Sequence, residues 1–153
     1  MKSIPVLIVA TLFAVCVCAE APRTSQSSPI ITAKAPAFAR SGHTFTIDLK
    51  ITTPIGFHIY GPHETEGLPT KVVFTVPKGF IGAPKFPATV AYKSLAGSFR
   101  VYQGTVHIPV VVTPPQRAKG KAIMHLEVTV QACNDRTCML PTTQKLTVTT
   151  DLK

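Results

Sequence analysis

Met124-His-Leu-Glu-Val-Thr-Val-Gln-Ala-Cys133-Asn-Asp-Arg-Thr-Cys138-Met-Leu-Pro141 decides how this chain reads. Met124, Leu126, Val128 and Val130 alternate with His125, Glu127 and Thr129. That period of two lays one side of a strand on a core and leaves the other in water. The strand runs into Cys133, and Asn134-Asp-Arg-Thr137 separates it from Cys138. Asn and Asp readily start a tight turn. A second strand is expected from near Pro141, carrying Leu146 and Val148. Such a hairpin sets the two cysteines opposite each other, with Cα atoms about 4.5–5.5 Å apart, inside the window a disulfide accepts.

The same alternation recurs outward from this stretch. Phe45, Ile47, Leu49 and Ile51 form one set, Val72, Phe74 and Val76 another, and Val106, Ile108, Val110 and Val112 a third. Arg40-Ser-Gly42, Pro54-Ile-Gly56, Pro77-Lys-Gly79, Pro114-Pro115 and Lys119-Gly120 punctuate them as turns. Fourteen prolines spread along the chain leave little room for helices. Short strands with regular punctuation predict an all-β, immunoglobulin-like sandwich in one domain over 30–150. An antibody-type domain is excluded, because the chain has no tryptophan and Cys133 and Cys138 are near neighbours. Between Ile81 and Arg100 no alternation persists, and a long loop or a pair of short edge strands is expected there.

The N-terminus reads as a secretory signal over 1–19. Met1-Lys2-Ser3 is basic, Ile4 to Cys18 is almost wholly apolar, and Ala19 offers a small cleavage position with Ala21 as the alternative. The apolar run is short for a membrane span, which needs about 20 residues. An uncleaved anchor and a lipid on Cys16 or Cys18 rank below cleavage, since Val15 and Val17 stand where a lipid site wants a small residue. Residues 20–29, rich in Pro, Ser and Thr, are expected to be a flexible leading segment. The mature chain is expected to carry no transmembrane span and to be exported.

Of the four cysteines, cleavage leaves only Cys133 and Cys138. In an oxidising compartment such a pair is expected to bond. A closed loop of about six residues contributes only about 2 kcal/mol in the chain-entropy model, against about 4.7 for about 100 residues. Spacing alone leaves redox activity and a structural staple open. Arg136 beside the pair favours a thiolate and Asp135 opposes it, although both read most simply as an exposed turn. Two cysteines are too few for a closed zinc site. His43, His58, His63, His107 and His125 show no metal-ligand spacing and read as surface or half-buried residues, so no metal and no cofactor are expected. The net charge of +9 is spread along the chain. With export, that argues against nucleic acid as a partner, and a basic soluble surface is the simpler reading.

The ordered set of motifs resembles the N-terminal periplasmic domain of the thiol:disulfide interchange protein DsbD. Val130-Gln-Ala-Cys133, Cys138-Met-Leu-Pro141, Gly56-Phe-His-Ile-Tyr60, Gly67-Leu-Pro-Thr70, Pro77-Lys-Gly-Phe80, and Tyr102 followed by Pro109 carry the likeness, which spans Ile30 to Thr149. The resemblance implies a redox-active Cys133–Cys138 pair that takes electrons from a thioredoxin-like donor and passes them to oxidised periplasmic proteins. It also implies a cap loop within Tyr92 to Arg100, where Leu95 holds the approximate register of the family's cap aromatic and Phe99 lies nearby. Acidic residues common in that loop are absent. DsbD continues into a membrane domain and a thioredoxin-like domain that this sequence lacks, so a donor on a separate protein is expected. The rival reading is an exported immunoglobulin-like binding module whose hairpin disulfide is purely structural. A third is a domain that assists another redox module without turning over itself.

Overall fold

The computed structural model describes residues 28–95 and 97–153. The expected leader, its cleavage positions and the leading segment up to residue 27 lie outside them. The described residues form twelve strands and no helix. Two four-stranded sheets face each other. The first runs in the order β1 (Ile30–Lys34), β3 (Phe45–Thr52), β9 (Thr105–Thr113), β6 (Ile81–Pro84). The second runs β2 (Phe38–Ala39), β12 (Thr142–Leu152), β10 (Gly120–Val130), β5 (Lys71–Thr75).

The expected alternations build the core between these sheets. Ile47, Leu49 and Ile51 of β3 are fully buried, as are Ile108, Val110 and Val112 of β9 and Met124, Val128 and Val130 of β10. The antiparallel register sets Leu49 against Ile108 and Ile47 against Val110, and in the other sheet Leu126 against Leu146. Cross-strand apolar pairs of this kind are the unit of sheet stabilisation. The outward residues are mostly polar, with Ile123 and Val73 among the exposed exceptions, and Lys145 meets Glu127 at 3.5 Å on the exposed face. Such a pair contributes little.

A third sheet, absent from the sequence reading, closes one end. Its order is β11 (Ala132–Cys133), β4 (His58–Tyr60), β8 (Gly97–Gln103), β7 (Val90–Ser94). The chain enters it by switching sheets. Gly104, at φ +66°, joins β8 to β9, a left-handed conformation that side chains other than glycine seldom adopt. Likewise Gln131 is the joint between β10 and β11.

Of the two forms expected for Ile81 to Arg100, the pair of short edge strands is found: β6 borders the first sheet and β7 the third, and the segment ends in β8, an interior strand of the third. The interior strands of the third sheet are buried on both faces. Val101 and Tyr102 are both buried, Tyr102 on the sandwich core and Val101 in a second cluster with Tyr60, Phe99 and Cys133. Ile59 and Ala132 likewise face the core while Tyr60 and Cys133 face the other way. A strand buried on both faces loses its period of two.

Candidate functional site

The second cluster is where the cysteines lie. After β10 leaves its sheet, β11 pairs with β4, Ala132 opposite Ile59 and Cys133 opposite His58. The chain then reverses through Asn134. Its side-chain Oδ1 accepts the backbone N–H groups of Arg136 and Thr137, both at 2.9 Å. Its own N–H donates to the Thr137 carbonyl at 2.9 Å, and Met139 N–H donates to Ala132 O at 2.8 Å. Gln131 Nε2 ties the returning strand by donating to Met139 O at 2.9 Å.

Cys133 and Cys138 are disulfide-bonded, with Cα atoms 4.0 Å apart. This is closer than the separation expected for directly opposed residues. They occupy a position without mutual backbone hydrogen bonds, between the 134–137 and 132–139 pairs, and that is where opposed strands approach most closely. The two cysteines differ in access: Cys133 is 1% exposed, whereas Cys138 is exposed.

Around the pair the third sheet supplies aromatic rings. Phe99 is buried in the cluster with Cys133 and meets Tyr60 edge-on, with ring centroids 5.8 Å apart. Tyr92, paired with Phe99 in the β7–β8 hairpin, lays its ring 4.2 Å from that of His58. The Tyr92 hydroxyl donates to Asp135 Oδ1 in the turn between the cysteines. That bond, followed by burial, pushes the Tyr92 hydroxyl above its usual pKa. A cleft of about 250 Å³ results, lined by His58, Tyr60, Tyr92, Ser94, Phe99, Cys138 and the 134–137 turn.

Of the two cap candidates, Phe99 is brought to the cysteines and Leu95 is not. Leu95 stands fully exposed near the hairpin tip and does not line the cleft. The residue that spans the cleft from hairpin to cysteine turn is Tyr92. Sequence reading passed over it, although it bounded the expected loop. Its position follows from β7 pairing, which no alternation announced. Asp135 and Arg136 are exposed as expected, but Asp135 is engaged by Tyr92.

His58 overturns the reading of the histidines as surface or half-buried residues. It is 3% exposed, because it stands on β4 between β11 and β8. Burial holds its pKa below the usual value, with Asp135 pulling weakly the other way. Its Nδ1 is buried without a hydrogen-bond partner. Among the described residues no three His, Cys, Asp or Glu converge as a metal site.

The loop after β4 fixes Tyr60 beneath this cleft. Thr70 donates its backbone N–H and its hydroxyl to the Tyr60 carbonyl, at 3.2 and 2.6 Å. Gly67 lies on the Tyr60 ring so closely that a Cβ there would stand 2.3 Å from it. Glu64 accepts the backbone N–H of Arg100 at 2.7 Å and that of Thr65 at 2.9 Å, bonds that hold its carboxyl below the usual range.

Comparison with known proteins adds the following. Residues 26–150 match the family described as thiol:disulfide interchange protein DsbD, N-terminal. No curated protein matches the sequence significantly. Among solved structures, the N-terminal periplasmic domain of ScsB from Proteus mirabilis is similar at 16% identity and a TM-score of 0.59, covering 85% of this chain and 49% of that one. The chain thus spans about half the length of that relative. The reduced N-terminal domain of DsbD from Neisseria meningitidis is similar at 14% identity and a TM-score of 0.50, covering 79% of this chain and 85% of that one. A cohesin module of a Clostridium perfringens glycoside hydrolase is also similar, at 14% identity and a TM-score of 0.51, covering 83% of this chain and 99% of that one. At these identities the structural likeness establishes the fold alone. No described helix is long and apolar enough to cross a membrane.

Proposed function

This chain belongs to the family of DsbD N-terminal domains, and from that premise we propose that it is an exported thiol–disulfide exchange domain working through Cys133 and Cys138. The observation that carries the reading is the asymmetry of the disulfide, with Cys138 exposed in an aromatic cleft and Cys133 buried beneath it. A staple needs no such access. Exchange does, because a thiolate must reach one sulfur along the bond axis.

The proposed cycle starts with the pair oxidised. A thiolate of a thioredoxin-like donor attacks Cys138 Sγ, the Cys133–Cys138 bond breaks, and its electron pair goes to Cys133 Sγ. The donor's second thiolate then attacks its own sulfur in the mixed disulfide and releases Cys138. The donor is oxidised and the pair has gained two electrons. Run in reverse on an oxidised periplasmic protein, the same steps pass those electrons on. Residues 1–19 serve in this reading as the export signal, and periplasmic location is supported by the ScsB relative, itself a periplasmic domain. Phe99 and Tyr92 serve as the shield over the pair between encounters.

The test is to mix the oxidised protein with a reduced thioredoxin-fold protein and quench with an alkylating agent. Reduction of Cys133–Cys138 with matching oxidation of the donor is expected within minutes. If the disulfide persists while the donor readily reduces a small disulfide, the rival binding-module reading takes over. One fold can serve either use, so the choice rests on the site.

A further inference from the structure

We infer that His58 is the proton-transfer group of this pair, taking the proton of the attacking thiol and delivering it to the sulfur that leaves; the inference rests on the exchange reading above. Three observations converge on it. His58 is the register partner of Cys133, so the two side chains leave the same face of the third sheet as direct neighbours. It lines the cleft together with Cys138. It is also 3% exposed with Nδ1 lacking a hydrogen-bond partner. A buried ring nitrogen left unpaired is destabilising, and an aromatic ring without nitrogen would fill the same space without that cost.

Among the groups facing His58, none other is a base set as the direct cross-strand neighbour of Cys133. Tyr60 on β4 and Tyr92 on β7 pack against its ring at 5.6 and 4.2 Å. The Tyr92 hydroxyl stays protonated and donates to Asp135, whose carboxylate is thereby engaged. Arg136 lines the same cleft but carries no acceptor. Cys133 and Cys138 are the reacting atoms. Burial keeps the imidazole neutral at neutral pH, with a lone pair ready to accept. Once protonated it sits beside Asp135 and beside the charge growing on Cys133.

The step balances without another reactant. The thiol R–SH forms a bond from its sulfur to Cys138 Sγ, and the Cys133–Cys138 bond breaks. Its electron pair goes to Cys133 Sγ, and the proton passes from R–SH through the imidazole to that sulfur. The attacking sulfur is oxidised and Cys133 leaves as a neutral thiol. A neutral product matters, because a thiolate buried this deeply is costly.

The pH dependence of reduction separates this role from a packing role. With dithiothreitol as the probe, attack by free thiolate alone speeds up tenfold per pH unit. In the wild type, transfer through neutral His58 is expected to flatten that slope between about pH 6.5 and 7.5 and to fail as pH drops through the lowered His58 pKa. His58→Gln is expected to restore the full slope and to run at least about tenfold slower at the low-pH end. A wild type that already shows the full slope overturns the inference and leaves exchange intact. A wild type that dithiothreitol does not reduce overturns both. Should His58→Gln fail to fold, an NMR titration of the His58 ring in the wild type decides instead. Its pKa in the oxidised protein is expected to coincide with the pH at which the flattened rate of the wild type falls off, and a clear mismatch overturns the inference.

Discussion

Cys133→Ala is expected to accumulate a stable mixed disulfide with a thioredoxin-fold protein through Cys138, while Cys138→Ala accumulates almost none. The difference follows from access. Cys138 is exposed, so its thiol meets an oxidised partner in the folded protein. Cys133 is 1% exposed beneath Phe99 and reacts only when the site opens. An opening cost of about 3 kcal/mol lowers the trapping rate roughly 100-fold. Both variants lose turnover entirely, because exchange needs two sulfurs, and each loses about 2 kcal/mol of stability with the small disulfide loop. Mass spectrometry of the trapped adducts, beside urea unfolding of each variant, gives both quantities. Equal trapping by the two variants would mean that Cys133 is as accessible as Cys138.

Phe99→Ala is expected to cost about 3–5 kcal/mol, the usual penalty for emptying a buried phenylalanine site. It is also expected to speed reduction of the disulfide by dithiothreitol several-fold, because the ring that covers Cys133 is gone. The two effects have opposite practical signs, lower stability and higher reactivity. Together they distinguish a shield from an ordinary core residue. Leu95→Ala, at a position fully exposed near the same hairpin tip, is expected to change stability by less than about 0.5 kcal/mol. Urea unfolding and quenched reduction time courses measure both. Reduction no faster in Phe99→Ala than in the wild type would remove Phe99 from the role of shield.

Much of this fold is written in its alternating runs. Ile47 to Ile51, Val106 to Val112 and Met124 to Val130 each alternate buried residues with exposed or half-buried ones, and the sandwich core is made of the buried set. The cysteine hairpin was equally legible, because Asn134 in a turn position announces the reversal that its side chain stabilises. What escaped was the third sheet. His58-Ile-Tyr60, Val101-Tyr102 and Ala132-Cys133 bury both faces, so they carry no period to read. The surroundings of the cysteines come largely from that sheet. Long-range pairing of β4 with β11 put His58 beside Cys133, and no local signal in Phe57-His-Ile records it. Tyr92 illustrates the same point, since its role depends on a hairpin partner and on Asp135, 43 residues away.

The reduction potential of the Cys133–Cys138 pair tests the exchange reading most directly. Equilibrating the protein in glutathione or dithiothreitol buffers and counting free thiols gives the value. A potential between about −120 and −270 mV, the span of known thiol–disulfide exchange proteins, is expected. A potential below about −300 mV, where structural disulfides of secreted proteins lie, would contradict it and leave the pair as a staple.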